Sequence, residues 1–155
     1  MTKTEIERKA AEIVGHHSFP VDVVKIANKL DFDVFLSDFD EKNVSGMVVN
    51  SKDEKSIYVN KNDIPQRQRF TIAHEIGHIV LHHKNEEFSE VDFRNTDELP
   101  TQKEIEANAF AAALLMPKDI AIEKWNEFQD VDDFADYFKV SKSAAAIRLI
   151  NLGLI

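Results

Sequence analysis

The stretch T-I-A-H-E-I-G-H-I-V-L-H-H, residues 71–83, constrains the fold more than any other segment. It sets four of the chain's six histidines and one glutamate among apolar residues. Ile72, Ala73, Ile76, Ile79, Val80 and Leu81 surround the polar positions on nearly every side, so a helix here is buried around most of its circumference. Buried imidazole and carboxylate groups need partners, because an unpaired polar group costs free energy in an apolar environment. The fold must therefore deliver other polar side chains to this helix, which is expected to run from about Pro65 through His82.

His74-Glu75-Ile76-Gly77-His78 has the spacing H-E-x-x-H. Positions i and i+4 of an α-helix differ by about 40° in azimuth and about 6 Å in rise, so two imidazoles there can converge on one ion. Neutral imidazoles at that spacing suit zinc, and a glutamate directly after the first ligand can take a proton from water at the metal. Gly77 costs about 1 kcal/mol relative to alanine inside a helix, which makes sense if a strand or substrate passes close by.

A catalytic zinc takes three protein ligands and keeps one position open. The chain has no cysteine, so the third ligand must be His, Asp or Glu. The segment 104–115, E-I-E-A-N-A-F-A-A-A-L-L, offers two candidates. Glu104, Ala107, Ala111 and Leu114 share one helical face, and the small alanines allow close approach to the histidine helix. Glu104 heads that stripe and is the expected third ligand; Glu106, on the side of Phe110 and Ala113, is the alternative. His82 is expected to play a structural or supporting role and His83 a surface role. His16 and His17 follow a helix end and read as capping or surface residues.

The rest of the chain reads as helices, a small sheet, then helices, which argues for one α+β domain over residues 1–155 with a helical C-terminal part from about 120. Ile6, Ala10, Ile13 and Val14 mark a first helix stopped at Gly15. A second carries Pro20 near its first turn, with Val23, Val24, Ala27 and Leu30 on one face. D-V-F-L-S-D-F is a strand candidate, and N-V-S-G-M-V-V-N-S with K-S-I-Y-V-N-K-N reads as a hairpin. Gly46 in it signals a bulge or a close backbone approach. Residues 85–100 carry Glu86, Glu87, Glu90, Asp92, Asp97 and Glu98 against the single Arg94 and read as a mobile acidic loop, in which Asp92, Glu90 and Glu98 are able to assist the site. Pro117 ends one helix or starts the next, Ser141 is an expected N-cap, and Gly153 lies near the last stop.

Nineteen Lys and Arg against 28 Asp and Glu give a formal charge of −9. Such a balance disfavours non-specific nucleic-acid binding, which depends on neutralising phosphates. The charged N-terminal stretch has no apolar core of the signal-peptide kind, and no run approaches the length of a membrane span. With cysteine absent, a reducing cytoplasmic setting is expected.

R-x-R-F-T-I-A-H-E-I-G-H-I-V-L-H-H followed by E-I-E-A-N-A-F-A-A-A-L-L-M-P resembles the ImmA/IrrE family of zinc metallopeptidases. The likeness extends to F-P-V-D near residue 20, V-S-G at 44–46 and the closing V-S-K-S-A-A-A-I-R-L-I-N-L-G-L-I. It implies a compact gluzincin-like domain with His74, His78 and Glu104 on zinc and Glu75 as general base, Glu106 keeping the alignment of the third ligand open. It further implies a short, phage or mobile-element type whose protein substrate is a helix-turn-helix repressor.

Two other readings compete. A metal-stabilised antirepressor or toxin–antitoxin partner would sequester its target without cutting it, and would have no use for Glu75. A DNA-reading unit in residues 130–155 is opposed by Asp130, Asp132, Asp133 and Asp136, which outnumber Lys139, Lys142 and Arg148. Tyr58, Tyr137 and His82 are candidates for stabilising an oxyanion.

Overall fold

A computed structural model describes residues 1–41, 43–82, 86–94 and 97–155. The surface role expected of His83 lies outside the described residues. The elements run α1 (Lys3–Val14), α2 (Val23–Lys29), β1 (Asp33–Ser37), β2 (Val44–Asn50), β3 (Lys55–Asn60), α3 (Pro65–Leu81), β4 (Phe88–Phe93), α4 (Gln102–Leu115), α5 (Lys118–Phe128), α6 (Val131–Phe138) and α7 (Lys142–Asn151). This is an α+β architecture. Among the described residues no helix is long and apolar enough to cross a membrane.

Side-chain caps fix where the helices begin. Thr2, Asp22, Thr101, Asp130 and Ser141 each accept a hydrogen bond from the backbone N–H three residues on, satisfying a donor that the helix leaves unpaired. Pro20 therefore lies outside α2, contrary to the sequence expectation, because Asp22 supplies the cap and helical geometry starts at Val23. The buried face of α2 is Val23, Ile26 and Ala27, whereas Val24 is 41% exposed.

The four strands lie in the order β1-β3-β2-β4, with β1 parallel to β3 and the other pairs antiparallel. The hairpin of β2 and β3 forms as read from the sequence. Val48, Ile57 and Val59 turn inward and are fully buried in a core shared with Ile72, Ala73 and Ile76 of α3.

The acidic segment departs from the loop expectation. Phe88–Phe93 pairs with β2 as an edge strand, Glu90 opposite Val48 and Asp92 opposite Gly46. F-S-E-V-D-F alternates with period two, and that alternation carries Phe88, Glu90 and Asp92 to the half-buried side while Ser89, Val91 and Phe93 face solvent. Arg94 anchors the strand's end by ion-pairing Asp63 at 2.6 Å and donating to the Val44 carbonyl.

Both informative glycines mark close approaches. A Cβ on Gly46 would stand 2.6 Å from Thr71 Cγ2 and 2.9 Å from the Tyr58 carbonyl oxygen, so only glycine lets β2 lie this near α3. The register between β2 and β4 shifts at the same place, between Val44 and Gly46, as expected of a bulge. At Gly77 the close neighbour is neither strand nor substrate. It is α4, whose Ala107 carbonyl oxygen and Phe110 Cδ1 would both lie 3.2 Å from an added Cβ. The glycine on one helix and the alanines on the other bring the histidines and the E-I-E-A-N segment face to face.

Candidate metal centre

The α3 segment from Thr71 to Ile79 is buried at every residue. His78 and Glu75 are fully enclosed, and the His74 side chain is 9% exposed. On this helix His74 Nε2 and His78 Nε2 lie 3.1 Å apart. Glu104, at the start of α4, places Oε2 3.2 Å from His74 Nε2 and Oε1 2.7 Å from His78 Nε2. Two donor atoms bound tetrahedrally at 2.0–2.1 Å are about 3.3 Å apart; the 3.1 and 3.2 Å separations lie close to that, and the 2.7 Å one is shorter.

The other nitrogen of His74, Nδ1, lies 2.7 Å from Asn108 Oδ1. Nδ1–H donating to that oxygen fixes the tautomer that leaves Nε2 free for a cation. The sequence reading carried Asn108 only inside a motif; its position one turn after Glu104, on the same helix, was the available signal.

Glu106 turns elsewhere. It lies 2.8 Å from His82 Nε2 and 2.9 Å from the Met1 amino group. His82 Nδ1 in turn lies 3.4 Å from His78 Nδ1. Of the three oxyanion candidates, His82 alone is at the site. Tyr58 bonds Glu54, and Tyr137 packs against Phe128 and Phe138.

Glu90 and Asp92, read from sequence as loop residues, reach the centre from β4. Asp92 Oδ1 is 3.4 Å from His74 Nε2, and Glu90 Oε2 is 3.5 Å from His78 Nδ1. Ligand atoms of His74, Glu75, His78 and Asp92 all lie within 4.8 Å of one another, as do those of His78, Glu90 and Glu104. Glu98 takes no part in either group.

Charge accumulates here in a way that calls for a cation. Glu75 and Asp92 face each other carboxyl to carboxyl, and among the described residues neither Glu75 oxygen nor Asp92 Oδ2 has any other partner. Burial above all, then the Asp92 carboxyl and the charges of Glu104 and Glu90, pushes Glu75 well above the usual carboxylate range. Burial would lower the His74 imidazole, but Asp92 and Glu104 outweigh it and raise its pKa to about 10. His74 and His78 hold Glu104 well below its ordinary value. Two imidazoles and several carboxylates, two of them buried against each other, form a donor set suited to a divalent metal.

Stripping the metal should leave a pH signature. A His74 pKa raised from 6.5 to about 10 means its stabilisation is complete below the unfolded value and lost as pH rises through the folded one. The raised Glu75 acts in the same direction. The melting temperature of chelator-treated protein should therefore fall from about pH 7 to about pH 9. Zinc-loaded protein, whose ligands bind best when deprotonated, should stay level or rise. Thermal scans of both forms check this, and a stripped protein indifferent to pH would contradict it.

Residues 27–150 match the peptidase family described as the IrrE N-terminal-like domain. The chain is 35% identical over 98 residues to the radiation response metalloprotease IrrE of Deinococcus radiodurans, covering 60% of this chain and 30% of that protein. It is 26% identical over 156 residues to the metallopeptidase ImmA of Bacillus subtilis, covering 98% of this chain and 88% of that one. The chain thus spans under a third of the Deinococcus protein and most of the Bacillus one. A solved Mycobacterium tuberculosis transcriptional regulator superposes with a TM-score of 0.65 over 95% of this chain and 45% of its own, at 18% identity. That is a likeness of fold.

Proposed function

We propose, from the premise that this chain belongs to the IrrE N-terminal-like family of metallopeptidases, that it is a zinc endopeptidase whose substrate is a helix-turn-helix transcriptional repressor of a phage or mobile element. The observation that carries the peptidase reading is the meeting of His74 Nε2, His78 Nε2 and Glu104 within 3.2 Å of one another, beside the buried carboxylate of Glu75. In this reading His74, His78 and Glu104 hold zinc and Glu75 is the general base. A zinc ion there supplies a Lewis acid that polarises the scissile carbonyl and acidifies water.

Glu75 accepts the proton of the attacking water and delivers it to the departing amine, one carboxylate serving both steps. Asn108 keeps His74 in the productive tautomer, and His82 with Glu106 braces His78 from behind.

The repressor reading rests on the family resemblance and on charge. Glu86, Glu87, Asp97 and Glu98 are exposed on the segment joining the two metal-binding helices, and the chain carries −9 overall. An acidic approach attracts a basic protein face, and helix-turn-helix proteins carry such a face for DNA. This work would be cytoplasmic. Direct DNA binding is poorly served: Arg148 is buried against Glu7 and Lys142 pairs with Asp132 at 2.8 Å.

The test is cleavage of a helix-turn-helix protein encoded beside this one. Neutralising Glu86, Glu87, Asp97 and Glu98 together should slow that cleavage several-fold and flatten its salt dependence, with zinc content unchanged. Glu90 is left intact because it faces His78. An unaltered rate across salt concentrations would remove the acidic segment from substrate recognition.

A further inference from the structure

We infer that Asp92 is a fourth ligand of the proposed metal and closes the site in the resting protein, so that the peptidase is latent until Asp92 is displaced. The inference rests on the metallopeptidase reading and adds a control to it. The motivating geometry is the 3.4 Å between Asp92 Oδ1 and His74 Nε2. That separation matches the roughly 3.3 Å edge of a tetrahedral zinc site as well as the Glu104 and His78 separations do. A fourth protein ligand added to His74, His78 and Glu104 would fill the zinc site, the arrangement of structural rather than catalytic zinc.

The position of Asp92 makes the closure consequential. Its donor atom falls in one group with those of His74, Glu75 and His78, all within 4.8 Å. It thus lies beside Glu75, the group that must reach water. Its carboxyl is buried against that of Glu75, and Oδ2 has no other partner among the described residues. Two carboxyls buried against each other repel when both are ionised, and a metal ion bound by Asp92 relieves that repulsion.

The fold holds Asp92 there and also allows it to leave. Asp92 pairs with Gly46, where the absent Cβ lets β2 and β4 lie against α3 and where the register shifts. β4 is the outer strand of the sheet, so no further strand restrains it. A rotation about the side chain's own torsions withdraws the carboxylate without breaking the β2–β4 ladder. A protein substrate that binds over a wide surface has binding energy to apply to that displacement, and a short peptide has little. Latency of this kind gives a peptidase selectivity that zinc itself cannot.

The test compares wild type with Asp92→Asn, Asp92→Ala and Asp92→Glu. Zinc transfer to a chelator and the visible spectrum of the cobalt(II)-substituted protein are read besides hydrolysis of a generic quenched-fluorescent peptide pool. With a ligand removed, Asp92→Asn and Asp92→Ala should lose zinc at least about tenfold faster. Their cobalt spectra should respond to acetohydroxamate at concentrations at least about tenfold lower, since that probe needs an open position. Their peptide hydrolysis should rise, and Asp92→Glu should restore slow zinc loss. Unchanged zinc loss and cobalt spectra, or hydrolysis that falls with zinc retention intact, would overturn the inference while leaving a zinc peptidase in place. A wild-type protein that binds neither zinc nor cobalt would overturn both readings together.

Discussion

Replacing Glu75 with glutamine is expected to lower peptide-bond hydrolysis by about 100- to 10,000-fold, the usual contribution of a positioned general base. Zinc content should stay at the wild-type level. Glutamine keeps the shape of a side chain that is fully buried, so packing around α3 is preserved. What it removes is the ability to accept a proton and give it back. The substitution should also cost little stability, because glutamine keeps a neutral polar group beside Asp92 in place of a carboxyl that burial disfavours as an anion. Rates are measured on the protein substrate under zinc-saturating conditions, with elemental analysis and thermal melting alongside. The result also separates cutting from sequestering: an antirepressor that merely binds its target would act as before when it carries Glu75→Gln, and retention of full activity would end the peptidase reading.

The largest stability effect is expected at Phe110. Its side chain is completely enclosed between α3 and α4, and its Cδ1 lies 3.2 Å from where a Cβ on Gly77 would be. Truncation to alanine removes a ring from a contact that the surrounding backbones cannot close, at a cost of about 3–5 kcal/mol. The effect should reach the proposed metal, because the two histidines stand on α3 and Glu104 on α4, with Phe110 between these helices. Phe110→Ala should therefore lower the urea midpoint and speed zinc loss together, a coupling expected wherever a ligand binds the folded state alone. A loss below about 1 kcal/mol would mean that this helix pair is not what holds the donors in place.

The centre was legible in sequence where its geometry is local. H-E-x-x-H fixes two donors on one helix because 3.6 residues per turn leave no other choice, and the apolar residues around it declare that the helix is buried. The approach of α4 was legible too, through Ala107 and Ala111, although Gly77 by itself suggests a strand or substrate rather than that same helix. The contribution of β4 was not legible. Glu86, Glu87, Asp97 and Glu98 flank F-S-E-V-D-F with charge, and a short alternating segment between them reads as acidic loop unless its partner strand is known. Pairing with β2 is a long-range event, and it alone brings Asp92 and Glu90 to the histidines. Pro20 misled for a different reason: the cap is supplied by the Asp22 side chain, which sets the start of α2 at Val23, three residues after Pro20.

The central claim is that His74, His78 and Glu104 hold a zinc ion, and zinc X-ray absorption with elemental analysis tests it most directly. The account predicts about one zinc per chain, bound by nitrogen and oxygen donors alone at about 2.0–2.1 Å with two imidazoles among them, and its loss in His74→Ala. Protein purified without zinc that also fails to take it up, or His74→Ala retaining zinc with an unchanged absorption edge, would contradict it.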